Sequence, residues 1–197
     1  MARLTRAQSR ARTREQLVAT ATDLFLRDGY AATSLDTVAD EAGYSKGAIY
    51  SNFTGKDELC LAVLDGIHGQ QAALLADALQ QADSLDTLLS AFQEWAEKTI
   101  GDEAWTGLEV EFATNVRRDP ALRGELAARA RTIREVLAEL LDTYAEKFGL
   151  VLPIPATDAA TALLSLGIGL GVQRAIDPHI PVHVLPDVIR ILGAPPR

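Results

Sequence analysis

The chain has 197 residues, 48% of them hydrophobic, and a formal net charge of −8. That is enough for one large or two small domains with a substantial core. No run of 18 or more residues is free of polar side chains, so no membrane span is expected, and the N-terminus lacks the apolar stretch of a secretory signal. The one cysteine, Cys60, cannot pair internally, which fits a reducing cytoplasm.

The charge is unevenly spread. Residues 1–60 hold eight basic and eight acidic side chains, against eleven and nineteen in the remainder. Arg3, Arg6, Arg10, Arg12 and Arg14 precede any acidic residue. A local basic arm on an acidic protein is an electrostatic footprint for a polyanion. Residues 1–11 carry no apolar pattern and are expected to be mobile. The first helix is predicted from about Thr13 to Asp28, with Leu17, Val18, Ala21, Leu24 and Phe25 as its stripe and Gly29 as its stop. Tyr30 is expected in the same small core.

The stretch from Thr33 to Lys56 reads as helix, tight turn, helix, then the cap of a longer helix. Ser34 is a good N-cap, Leu35, Val38, Ala39 and Ala42 share one face, and Gly43 supplies the positive φ of a helix end. Ser45 caps a short second helix with Ala48, Ile49 and Phe53 inward. Its other positions, Lys46, Gly47, Tyr50, Ser51 and Asn52, carry no carboxylate and suit phosphate oxygens and base edges. This is the build of a helix-turn-helix. Thr54 is expected to cap the next helix with Asp57 as its capping-box partner.

The run TSLDTVADEAGYSKGAIYSNFTGKDEL, preceded by LFLRDGY, resembles the DNA-binding domain of the TetR family of transcriptional regulators. The likeness is dense over the first third of the chain; beyond it only helix number and pattern are similar. It implies an all-α fold of about nine helices, with a helix-turn-helix domain over 1–54 and a ligand-binding and dimerisation domain over 55–197. It also implies a cytoplasmic homodimer on palindromic double-stranded DNA, most often a repressor, released by a small-molecule effector. DNA contacts are then expected from Arg10, Arg12, Arg14, Thr33, Ser34, Ser45, Lys46, Gly47, Tyr50, Ser51, Asn52 and Lys56. Lys56 adds its charge at a helix N-terminus, where anions are favoured.

Further helices are predicted from Gly55 to about Gln81, Leu85 to Ile100, Glu103 to Arg118 and Pro120 to Phe148. After the proline-bearing loop 149–156 come Thr157–Ile176, apolar nearly all round, and a last helix from about His183 to Leu192. GIGLG lacks the strand and spacing of a phosphate loop. The two C-terminal helices are expected to pair with their copies through Leu163, Leu164, Gly167, Gly171, Val184, Leu185, Val188, Ile189 and Leu192.

Candidate ligand-lining residues are Leu64, His68, Gln71, Phe92, Trp95, Thr99, Trp105, Leu108, Glu109, Phe112, Leu137, Tyr144 and Leu166, an aromatic set dotted with polar groups. An ordinary filled core is the competing reading. Glu109 is the carboxylate best placed for a cationic ligand. His68, His179 and His183 have no Cys partner or HExxH context, and no G-x-S-x-G occurs. No catalytic residue, metal ligand or cofactor is assigned. A DNA-binding dimer without an effector and a helical enzyme on the same scaffold remain the alternatives.

Overall fold

The computed structural model describes residues 5–192. Arg3 of the expected arm, the GAPPR ending and the Leu192 side chain lie outside the described residues. Among the described residues the chain is all-α, with nine helices: α1 (Arg6–Asp28), α2 (Leu35–Glu41), α3 (Lys46–Asn52), α4 (Lys56–Gln80), α5 (Leu85–Thr99), α6 (Glu103–Val116), α7 (Pro120–Phe148), α8 (Ala156–Ile176) and α9 (Val184–Leu192). They fall into two compact units. The first runs to Gly69 and takes in Gly107–Leu122; the second holds Gln70–Thr106 and the chain from Arg123 onward. The first unit thus reaches past the boundary expected at residue 54.

The first unit is built on α1. Leu17, Ala21, Leu24 and Phe25 are buried on one face, against Val38 and Ala39 of α2, Ile49 of α3 and Phe53 just after it. The segment expected to be mobile is helical from Arg6, because Thr5 and Gln8 form a capping box and Ala, Gln and Arg are good helix formers. Sequence periodicity missed it because residues 6–12 bury nothing. Leu59, Leu61, Val63 and Leu64 of α4 and Leu108, Phe112 and Val116 of α6 are also buried in this unit. Tyr30 lies among them, its ring 5.8 Å from Phe25 and edge-on to Phe112 at 5.4 Å.

In the second unit Leu79, Ala82, Leu88 and Leu89 pack with Leu140, Tyr144 and Phe148. Ala96, Leu170, Val182 and Leu185 pack with Trp95, Ile100 and Leu166. Arg174 of α8 donates from Nε to the carbonyl of Ile100 at 2.8 Å and from Nη1 to the carbonyl of Ile180. Gly101, at φ 90°, lies under it, where an added Cβ would stand 2.3 Å from the Arg174 Cβ. By length and composition α4 and α8 would suffice to cross a membrane, contrary to the expectation that no stretch supports a span. Each also contributes to a core: Leu59, Leu61, Val63 and Leu64 from α4, and Leu163 and Leu170 from α8.

Candidate nucleic-acid interface

The turn between α2 and α3 is set by local chemistry. The Ser34 hydroxyl accepts the N–H of Thr37 and so starts α2. Gly43, at φ 73°, donates to the carbonyl of Asp40, and Tyr44 N–H donates to Ala39. Those two bonds are a Schellman ending. Ser45 then accepts from Ala48 N–H and opens α3. Only two residues, Gly43 and Tyr44, stand between one cap and the next, so α3 leaves the turn in one direction. Its single buried side chain, Ile49, pins it to the core.

The opposite face of α3 is open. Ser45, Lys46, Gly47, Tyr50 and Ser51 are exposed, and Tyr50 is 57% exposed despite its large ring. Lys46 Nζ lies 2.5 Å from Asp36 Oδ2, and that carboxylate raises the lysine's pKa. A Cβ added at Gly47 would find only the Ser45 Oγ, at 3.8 Å. The space outside Gly47 therefore belongs to whatever approaches α3. Asn52 is half-buried and donates back to the carbonyl of Ala48 at 2.8 Å, so it finishes the helix.

Beside α3, its C-terminal half and the first turns of α1 line a cleft of about 350 Å³ with Arg6, Ser9, Arg10, Thr13, Ala48, Ser51 and Asn52. The basic arm is thus a helical edge. Arg10 Nη2 donates to the carbonyl of Ser51 at 2.7 Å, and Arg14 Nη1 to that of Asn52 at 2.7 Å. Arg14 also lies over the Phe53 ring at 4.1 Å. Both arginines satisfy terminal carbonyls of α3, and Arg10 stays exposed. Arg6 and Arg12 are exposed.

Two other expectations change, at Thr33 and at the cap of α4, and Lys56 gains structural partners. Thr33 is buried, its hydroxyl donating to the carbonyl of Gly29 at 2.9 Å, so it fastens the α1–α2 turn and does not face outward. Lys56 Nζ donates to the carbonyl of Tyr30 at 2.9 Å and sits over that ring at 4.1 Å. It thus braces the same turn. Glu58, not Asp57, caps the start of α4, accepting from Thr54 N–H at 2.8 Å and from its hydroxyl at 2.9 Å. The Thr54 N–H holds the Glu58 carboxyl below the ordinary range. Asp57 accepts instead from Tyr30 Oη, at 2.5 Å.

The expected ligand-lining residues divide between the units. In the first, Leu64, Leu108 and Phe112 are core, while His68 Nε2 and Glu109 Oε1 are 2.5 Å apart. That pairing involves the carboxylate singled out for a cationic ligand. In the second, Thr99 donates to Gln71 Oε1 at 3.1 Å, Phe92 stacks on Trp95 at 5.7 Å and Tyr144 on Phe148 at 6.0 Å. Trp105 and Leu137 are half-buried, and Leu166 packs on the Ala96–Leu170 cluster.

The residues expected at a dimer face differ in exposure. Leu163, Gly171 and Leu185 are buried within their own chain, and Leu164, Gly167, Val184, Val188 and Ile189 are half-buried. The open apolar stripe of α8 is Ile168, Val172 and Ile176, at i, i+4 and i+8, with Ile168 58% and Ile176 83% exposed. A helix apolar on every side gives the sequence no means of telling which face its own chain covers. Sequence reasoning weighs Glu111 only as one of several carboxylates that could favour a cationic ligand, and has no signal for its contacts with the Tyr30 and Ala31 amides.

Residues 17–63 match the family model described as bacterial regulatory proteins, tetR family, and residues 84–191 match the BetI-type transcriptional repressor C-terminal model. The probable HTH-type transcriptional regulator ArpR of Pseudomonas putida is 41% identical over 76 residues, 39% of this chain and 36% of that protein. The chain therefore spans about a third of the length of the first curated relatives it matches. The nicotine-responsive transcriptional repressor HdnoR of Paenarthrobacter nicotinovorans is 27% identical over 173 residues, 86% of this chain and 87% of that one. The reduced form of E. coli NemR has a similar fold, with a TM-score of 0.73 at 22% identity over 93% of this chain and 99% of that one. With both models matched in order around the helix-turn-helix just described, the chain belongs to the TetR family of transcriptional regulators.

Proposed function

We propose that this protein is a homodimeric repressor that reads a palindromic operator through α3 and leaves it when a small molecule binds its helical core. The observation that carries the reading is the outward face of α3, where Lys46, Gly47, Tyr50 and Ser51 are exposed and uncrowded around one buried anchor, Ile49. A lysine, a phenol and hydroxyls at a helix surface suit base edges and phosphates. Arg6 and Arg12 supply flanking positive charge.

A second copy supports two half-sites, and the exposed Ile168, Val172 and Ile176 of α8 offer an apolar face for it. The effector part of the reading rests on the second unit. The indole Nε1 of Trp95 is buried with no acceptor, a costly state that a ligand's acceptor atom would relieve. Relief of that state by an effector would have to be coupled to the presentation of α3. Coupling of this kind is typically worth about 1–3 kcal/mol.

Selection of bound sequences from random duplex DNA, with Tyr50→Ala protein in parallel, tests the reading. Wild type should enrich an inverted repeat and the variant should not. Recovery of the same repeat by both proteins would remove α3 as the reader.

A further inference from the structure

Glu111 of α6 lies 80 residues beyond the α1–α2 turn, yet its carboxylate accepts two consecutive backbone N–H groups there. Oε2 takes the N–H of Tyr30 and Oε1 that of Ala31, each at 2.8 Å. Hydrogen bonds to an ionised acceptor are the stronger kind, and turn N–H groups have no helical partner of their own. The next residue, Phe112, meets the Tyr30 ring edge-on. One turn on, Asn115 Nδ2 donates to Asp57 Oδ1 at 3.3 Å and to Tyr30 Oη at 3.4 Å.

The other side of the turn is held by α4, through Lys56 on the Tyr30 carbonyl. Gly29, at φ 86°, leaves room for the carboxylate: a Cβ there would lie 3.2 Å from Glu111 Oε2. Straight after the clamped pair come Thr33, bonded back to Gly29, and Ser34, the cap of α2. The direction in which α2 and then α3 leave α1 is thus fixed at residues 29–34.

We propose that Glu111 is a positioning residue for DNA binding: its bidentate hold on the Tyr30–Ala31 amides sets the angle at which the α2–α3 pair is presented. This rests on the DNA-binding function proposed above. The clamp makes a prediction opposite in sign to simple electrostatics. Deleting an acidic charge would by Coulomb attraction alone strengthen binding to a polyanion; losing the clamp weakens it.

The test uses the full chain and the duplex selected with wild type. Affinity should fall about tenfold in Glu111→Ala, the scale of one charge-assisted hydrogen bond, and by less in Glu111→Gln, which keeps one acceptor. Glu103→Gln, an exposed charge deletion on the same helix, reports the charge effect alone. The salt dependence should keep its slope, because no phosphate contact is removed. Amide exchange should quicken at Tyr30 and Ala31 ahead of the α1 core. Affinities are read well below the melting temperature, so a fold that is merely less stable does not lower them. Should Glu111→Ala fail to fold, Glu111→Gln decides. Glu111 variants that bind as tightly as wild type, or tighter, overturn the clamp and leave the DNA-binding reading standing; a wild type that enriches no duplex overturns both.

Discussion

At Gly47 the usual conflict between a residue's local preference and its surroundings is visible on one atom. Glycine in a helix is worse than alanine by about 0.5–1 kcal/mol, and nothing in the protein requires its absent Cβ. Gly47→Ala should therefore hold or raise the thermal midpoint while weakening operator binding, because the added methyl fills the approach to α3. Thermal melts and a binding titration on one preparation check both signs. Thr33 shows the reverse logic. A threonine ahead of a helix start looks outward in sequence, but its hydroxyl is consumed by the carbonyl of Gly29. Thr33→Val keeps the shape and loses that bond, so stability should fall by about 1 kcal/mol, measured by urea unfolding. Which polar residue faces out is a long-range fact, and single-residue chemistry does not carry it.

Among the elements, those with strong local signals were legible in the sequence. α2 and α3 are fixed by Ser34, Gly43 and Ser45, residues whose capping roles need no distant partner. α5 to α7 likewise lie within two residues of their expected bounds. The first two turns of α1 were not legible, since their support comes from Thr5–Gln8 capping and from Arg10 reaching a carbonyl 41 residues away. The open face of α3 was legible in the sequence; the bonds of Arg14 and Lys56 to distant carbonyls were not. The junction of α5 and α6 gives a test at this scale. Gly101→Ala would face both the positive φ and the Arg174 Cβ 2.3 Å away. It should cost about 2–4 kcal/mol, seen as a lowered urea midpoint.

For the whole molecule, pH sets the stability from both ends. Burial, then the bond to Asp57, pushes the Tyr30 phenol up, and burial pushes the Cys60 thiol up to about 12. Both groups stay neutral in the fold where the unfolded chain would ionise. Their contribution is present below the unfolded values, near 9 for the thiol and 10 for the phenol, and is lost as pH rises above them. Glu58 has the opposite sign: its contribution is present above 4.5 and is lost as pH falls through its depressed native value. Urea midpoints should thus be highest between about pH 5 and 9, and Cys60→Ala should flatten the alkaline limb. Assembly is tested on α8. Ile176→Asp, at a site 83% exposed, should leave the melt of the single chain nearly unchanged yet shift sedimentation from dimer to monomer.

The lone thiol has a practical corollary. Because Cys60 is fully buried and resists ionisation, the native protein offers no reactive sulfur, and a cysteine introduced at Ser51 would be labelled by itself. In the proposed dimer, spin labels placed there, one per copy, would turn the separation of the two α3 helices into a measurable length. Compared with the repeat of a duplex, about 34 Å, that length would register directly whether a given small molecule spreads the helices out of step with the groove.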